Sequence, residues 1–321
     1  MRIFLAGATG AAGRAIIPKL IEHGHTVVGT TRSRAKTDAL RELGAEPAVV
    51  DGLDRAAVLE AVARARPDVI VHQMTALSGL TDMRRFDRTF AQTNRLRVEG
   101  TDHLLEAARL NGVERVIAQS YAGWPYARTG GAVKTEDDPL DPKPPKQMRG
   151  TLCAIRHLET AVTGAGGVVL RYGGFYGPGT GIAPGGDQWE TVRARKFPIV
   201  GDGGGVWSFT HVDDVASSVL AALDRWTPGQ IYNICDNEPA PVREWLPVLA
   251  ASIGAKPPRN VPAWVMRPMA PHLVSLMCEV RGASNAKARA ALEWSPAWPT
   301  WREGFASLAG PTRKRRETVA A

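Results

Sequence analysis

The feature that most narrows what this chain can fold into lies in its first thirteen residues. A short apolar run, Ile3 to Ala6, passes directly into Gly7-Ala8-Thr9-Gly10-Ala11-Ala12-Gly13, after which Ala12, Ala15, Ile16, Leu20 and Ile21 recur at helical spacing. A strand that turns through three glycines into a helix reads as the opening of a βαβ unit. The glycines allow a tight turn and close backbone approach. The amides at the helix start, with the positive end of its dipole, then suit a pyrophosphate. Pro18 falls inside the helical pattern and predicts a kink or a late start.

The alternation continues. Thr26–Thr30, Pro47–Val50, Asp68–His72, Val113–Gln119 and Val168–Arg171 read as strands, with helices over Arg34–Leu43, Asp54–Ala65, Phe86–Leu110 and Thr151–Thr163. From Tyr126 to Arg149 both periods vanish among Pro139, Pro142, Pro144 and Pro145, a long loop of the kind that forms lids. Gly173–Gly186 is a glycine- and proline-rich crossover. Val206–His211 and Ile231–Ile234 look like a return to the sheet, with a helix over Asp213–Leu223. The remainder, with Trp245, Trp264, Trp294, Trp298 and Trp301, reads as a small lobe over the sheet's carboxyl edge. The fold expected is α/β: a Rossmann-type doubly wound parallel sheet with a smaller, mainly helical C-terminal substrate lobe. Residues 1–171 and 206–236 form the dinucleotide-binding domain, 172–205 and 237–310 the lobe, and 311–321 a basic tail.

Composition excludes other classes. At 321 residues and 44% hydrophobic the chain can pack a core. Part of its net charge of +8 sits in the tail, at Arg313, Lys314, Arg315 and Arg316, so the body is only mildly basic and implies no nucleic-acid partner. Cys153, Cys235 and Cys278 show no metal-ligand spacing, so no metal is expected, and they fit a reducing cytoplasm. No apolar stretch is long enough to span a bilayer, and the N-terminus lacks a signal-peptide pattern. A cytoplasmic protein with a small-molecule substrate and no membrane partner is expected.

The second strand decides which dinucleotide is favoured. A carboxylate at its end would bond the ribose 2′-OH and repel a 2′-phosphate. Here it ends Gly29-Thr30-Thr31-Arg32-Ser33-Arg34, with no acid before Asp38. Arg32 offers a planar fork for a phosphate, which favours NADP(H) over NAD(H). Arg34 and Lys36 either add charge or are exposed helix residues.

Further segments carry a family resemblance: Val49-Val50-Asp51-Gly52-Leu53-Asp54; Thr93-Asn94-Arg95 ahead of Gly100-Thr101-Asp102-His103-Leu104-Leu105; Leu170 through Gly179; Phe209-Thr210-His211-Val212-Asp213-Asp214; and Ser284 through Pro296. With the glycine turn they resemble the extended and atypical short-chain dehydrogenase/reductases, the NAD-dependent epimerase/dehydratase family, over most of the chain. The resemblance implies cofactor contacts from Gly7, Thr9, Gly10, Ala11, Ala12, Gly13, Thr31, Arg32, Asp51, Gly52, Met74, Thr75, Asn94, Tyr172, Gly174 and Phe175. It also implies a homodimer through the helices near 86–110 and 151–163.

Two departures from the family pattern matter more than the matches. The family's proton chemistry rests on Tyr-x-x-x-Lys, usually followed four residues on by Glu. Glu159 fits the Glu, which puts Ile155 at the Lys and Thr151 at the Tyr, and no tyrosine in the chain has a lysine four residues later. Ser120, at the end of the fifth strand, resembles the Ser/Thr that bonds the substrate oxygen. Tyr121 and Tyr126 are the nearest replacement acids, with Lys134, Lys143 and Lys146 on the long loop as candidate helpers. The second departure is Trp207, where members acting on nucleotide-sugars commonly carry Arg; a Trp cannot pair with a phosphate but can stack on a ring. Trp124, Thr151, Trp207 and His211 are expected to face the substrate. Asp213 reads as a helix N-cap and Asp214 as a first-turn carboxylate rather than metal ligands. The function expected is an NADP(H)-binding oxidoreductase or epimerase acting on a small non-nucleotide carbonyl or alcohol. The alternatives are a redox-inactive NADP(H)-binding sensor or module, and a non-redox lyase or hydratase.

Overall fold

The computed structural model describes residues 1–77 and 86–308. The tail expected at 311–321 lies outside the described residues. Parallel neighbours need a crossover between them, so strands that alternate with helices line up in one orientation. Seven do so: β1 (Arg2–Ala6), β2 (Thr26–Thr31), β3 (Glu46–Val49), β4 (Val69–His72), β5 (Arg115–Tyr121), β6 (Val168–Tyr172) and β7 (Ile231–Ile234). Their order is β7-β6-β5-β4-β1-β2-β3, and Ile3 lies opposite Val27 on one side and Val69 on the other. The chain runs outward from β1 to β3 and then crosses back to β4. That reversal leaves a crevice at the carboxyl ends of β1 and β4, where ligands of such sheets bind.

Side chains alternate between the faces of a strand, so a strand covered on both faces is apolar throughout. Ile3 and Leu5 enter one core with Ile16, Ile17 and Leu20 of the helix Ala11–Glu22 and with Val215 and Val219 of the helix Val212–Asp224. Phe4 and Ala6 enter the opposite core with Val58 and Val62 of the helix Arg55–Ala65 and with Leu104 and Ala107 of the helix Thr101–Leu110. Asp54 starts the first of these by accepting the Ala57 N–H at 3.1 Å. The lobe has its own aromatic core of Phe209, Trp245, Trp301 and Phe305.

Several expectations change here. The helix Ala11–Glu22 starts at Ala11 and runs through Pro18. The bond that Pro18 cannot make would go to the carbonyl of exposed Arg14, which water can serve. The helix expected over 86–110 is broken into Phe86–Thr89, Ala91–Arg95, a π-helical turn Leu96–Gly100, and Thr101–Leu110. Val206–His211 does not join the large sheet: Val206–Trp207 pairs antiparallel with Ala240–Pro241, and Phe209–His211 pairs parallel with Gly174–Tyr176. Trp294, which the sequence assigns to the lobe, packs with Ala288 and Leu292 into the first core and donates its Nε1–H to Ser217 Oγ at 2.9 Å. The loop between Tyr126 and Arg149 is tied down rather than lid-like. Arg128 pairs with Asp141 at 2.8 Å and Glu279 at 2.5 Å, and Lys134 with Asp138 at 3.0 Å.

Candidate active site

The glycine turn is held by contacts that no other residue permits. Gly7 has φ of 91°, and a Cβ there would stand 2.6 Å from the Gln73 carbonyl oxygen just past β4. A Cβ on Gly13 would stand 2.6 Å from Ala8 Cα. The Gly7 N–H donates to Thr30 Oγ1 at 3.0 Å and ties the turn to the end of β2. Among the described residues no side chain caps the helix that starts at Ala11, so its first amides are open to an anion. Thr9 and Gly10 edge this opening, and Thr31 is buried with its hydroxyl accepting the Ser33 N–H at 3.2 Å. Arg32 is exposed at the end of β2 and makes no ion pair among the described residues. Asp51 is exposed beyond β3. Open amides at the helix start and an exposed guanidinium at the end of β2 make a donor set that fits the phosphates of a dinucleotide. Met74 is a packing residue on its side-chain end: a Cβ on Gly52 would meet its sulfur at 2.3 Å, and one on Gly100 its methyl at 3.1 Å. Thr75, Gly174 and Phe175 are partly exposed.

Where proton chemistry is expected, a buried ion pair stands instead. Glu159 receives the Ser120 hydroxyl at 2.6 Å and two bonds from Arg171, at 2.8 and 2.7 Å. Arg171 also donates to the Tyr126 hydroxyl at 2.9 Å, which donates in turn to Asn233 Oδ1 at 2.7 Å. All four side chains of this chain of bonds from Ser120 to Tyr126 are buried, and burial pushes the Tyr126 phenol up to about 12. Ser120 is therefore not the free donor to a substrate oxygen, nor Tyr126 the free acid, that the sequence suggests; both are taken up in satisfying Arg171 and Glu159. Tyr172 is corrected too. Its ring lies in the core against Phe175 and its hydroxyl meets Ser218 Oγ at 3.2 Å, so its side chain is engaged within the protein.

Thr151 is likewise committed. Its hydroxyl donates to Asp87 Oδ1 at 2.7 Å and accepts from Asn94 Nδ2 at 3.0 Å. Asp87 also accepts the N–H groups of Gly150 and Thr151 at 2.9 and 2.8 Å, which caps the helix Arg149–Gly164. Thr151 is thus a helix clamp rather than a substrate contact, and Ile155 is fully buried in the same helix. Asn94 keeps its buried Oδ1 without a partner among the described residues. His211 is boxed in by Tyr176 at 5.0 Å and Trp298 at 4.7 Å, and its Nδ1 caps the helix Val212–Asp224 by accepting the Asp213 N–H at 3.2 Å. His211, not Asp213, is the N-cap. Buried Asp214 accepts the Ala297 N–H at 2.6 Å, so it anchors the C-terminal segment.

Three of the expected residues do meet. Tyr121, Trp124 and Trp207, with Leu276 and Val280, line a cavity of about 30 Å³. Trp207 is oriented by its Nε1–H, which donates to the Leu276 carbonyl at 2.9 Å, and Trp124 stands edge-on to Phe86 at 5.5 Å. Burial pushes the Tyr121 phenol up to about 12, opposed by the charge of Arg97. Arg97 is the residue that sequence reasoning missed. It lies in the π-turn, is 7% exposed, and leaves its Nη1 without a partner among the described residues. Desolvation lowers its pKa to about 10 despite Glu159 and Tyr121 nearby. His72, at the end of β4, is fully buried and held neutral, its pKa lowered to about 4 mainly by burial and further by Arg97.

Residues 3–235 match the NAD dependent epimerase/dehydratase family, and the chain belongs to that family. It is an NAD(P)-dependent oxidoreductase. Over 314 residues it is 44% identical to 3-diazoavenalumate denitrifying reductase from a Streptomyces species, covering 95% of this chain and 99% of that protein. It is 28% identical over 262 residues to 4-hydroxy-2-methyl-3-oxo-4-farnesyl-3,4-dihydroquinoline-1-oxide ketoreductase from Stigmatella aurantiaca, with 80% of this chain and 74% of that one covered. The fold superposes on the UDP-glucose 4-epimerase of Thermus thermophilus in complex with NAD, with a TM-score of 0.71, 26% identity and coverage of 96% and 98%.

Proposed function

We propose that this protein is an NADPH-dependent reductase of an aromatic substrate whose reduction takes a hydride but no proton from the enzyme, an aryl diazonium. One observation carries the reading: the position that the family resemblance gives to the proton-donating tyrosine holds Thr151, clamped by Asp87 and Asn94, and the lysine position holds Ile155 in the core. A carbonyl oxygen becomes anionic when hydride adds, and it needs an acid or a strong donor. A diazonium begins as a cation, and the hydride that a bound nicotinamide would supply would turn ArN₂⁺ into neutral ArH and N₂ with no proton required. The diazo chemistry in the name of the relative at 44% identity supports this substrate class.

The remaining residues bind and orient. The open amides at Ala11 to Gly13 would hold the pyrophosphate, Arg32 the 2′-phosphate, Asp51 the adenine end and Asn94 Oδ1 the nicotinamide end. Trp124, Trp207 and Tyr121 offer flat faces to an aromatic ring. A volume of about 30 Å³ takes about one water, so a ring enters as Trp124 or Trp207 turns aside.

With NADPH and an aryl diazonium salt, purified protein should release N₂ in step with NADPH oxidation. Tyr121→Phe should keep kcat within about threefold. A loss of about a hundredfold in that variant, with ketones reduced in preference, would make Tyr121 the acid of a carbonyl reductase and end the diazonium reading. For the cofactor, Arg32→Ala should weaken NADPH binding about 10- to 100-fold by calorimetry, the loss of a charge-assisted contact worth about 1.5–3 kcal/mol, and leave NADH nearly unchanged. Equal losses for both cofactors would remove Arg32 from the specificity assignment.

A further inference from the structure

A buried guanidinium is costly unless a partner or a ligand compensates it. Arg97 is 7% exposed, forms no ion pair among the described residues and leaves Nη1 without a hydrogen-bond partner. The carboxylate nearest it in electrostatic reach, Glu159, already receives one bond from Ser120 and two from Arg171. The other groups that sense its charge are His72, which is neutral, and Tyr121, which keeps its proton at neutral pH. Among the described residues, one positive charge therefore stands uncompensated behind Tyr121, which is itself part of the cavity wall. The charge is not placed for the dinucleotide's phosphates. Those belong to the turn after β1 and to Arg32, whereas Arg97 lies among groups at the carboxyl ends of β4 and β5.

We propose that Arg97 is the counter-ion for an anionic oxygen carried by the substrate, a carboxylate or a ring oxyanion, so that the enzyme selects anionic arenes. The proposal rests on the cavity at Tyr121, Trp124 and Trp207 being the substrate site. It does not depend on which bond the hydride reduces. The π-turn Leu96–Gly100 carries Arg97 on the buried side of the helix together with Leu96 and Gly100, an uncommon turn that keeps a charge there. A desolvated guanidinium offers an oxyanion paired, charge-assisted hydrogen bonds that a neutral arene cannot use.

The test is binding, not turnover. Benzoate is compared with benzamide, and 4-nitrophenolate with nitrobenzene, by calorimetry on the NADPH-loaded protein. The absorbance of 4-nitrophenol also reports its ionisation when bound. At least one anion should bind about tenfold more tightly than its neutral partner, and bound 4-nitrophenol should ionise about one pH unit lower than free if the ring oxygen is what Arg97 holds. Arg97→Met should erase the preference while keeping affinity for the neutral probe, which also shows that the variant folds. Arg97→Lys should retain part of it. Preference for benzoate alone assigns a carboxylate, and for nitrophenolate alone a ring oxyanion. Equal affinity for charged and neutral probes, no binding of either anion, or a preference that survives Arg97→Met would overturn the proposal. Failure to reduce a diazonium would leave these binding results standing, and failure here would leave the reductase reading standing.

Discussion

Replacing Glu159 with alanine is expected to lower the folding stability by about 3–5 kcal/mol, read as a fall in the urea midpoint at unchanged slope. The reason lies in what remains behind. Arg171 is 4% exposed and gives two of its bonds to Glu159. Without that carboxylate a guanidinium is left buried with the Tyr126 hydroxyl as its remaining side-chain partner, and the Ser120 hydroxyl loses its acceptor. The paired replacement Glu159→Leu with Arg171→Leu should recover much of the loss, since removing both charges removes the desolvation cost of each. Ser120→Ala should cost only about 1 kcal/mol, because one neutral donor is lost from an acceptor that keeps two others. A loss below about 1 kcal/mol for Glu159→Ala would mean that the pair is not dry.

Gly7→Ala is expected to reduce dinucleotide binding by about a hundredfold or more and stability by about 2–4 kcal/mol. Two causes act together. The φ of 91° is strained for any residue with a Cβ, and that Cβ would stand 2.6 Å from the Gln73 carbonyl, which is backbone and cannot swing away. The end of β4 must then retreat from the turn that shapes the crevice. Gly112 provides the control. Its φ is 67°, but a Cβ there would meet no atom within 4 Å, so Gly112→Ala should cost about 1–2 kcal/mol and leave binding alone. Calorimetry with NADPH and thermal melts on both variants decide the matter. If Gly7→Ala binds as tightly as the unaltered chain, the turn is not the phosphate cradle.

The parallel sheet was legible because its signals are local: β1, the glycines and the helix after them are contiguous, and both-face burial makes the central strands β1 and β4 mostly apolar. That Tyr121, Trp124 and Trp207 stand out was legible for a similar reason, since Tyr121 and Trp124 flank a strand's carboxyl end and Trp207 departs from a family position; the structure brings the three to one cavity. What failed were assignments that depend on where a hydroxyl points. Ser120, Tyr126 and Thr151 occupy suggestive positions, yet partners distant in sequence, Glu159, Asn233 and Asp87, claim their hydroxyls. His211 failed the same way, closed off by Trp298. Arg97 left a trace that periodicity could have found. Thr93, Leu96, Gly100, Thr101 and Leu104 form the buried stripe of their helices, and Arg97 is the charged residue on it.

The wide turn at Leu96–Gly100 also sets a rule of length. Each residue in a helix advances the screw by about 100°, so trimming one residue from this turn would re-index everything downstream of it. Either Arg97 would swing to the solvent side or Leu104 and Ala107 would leave the core that they share with Phe4. A segment that would otherwise tolerate a change of register is thereby locked to a fixed residue tally, and chains that share this charge should share that tally.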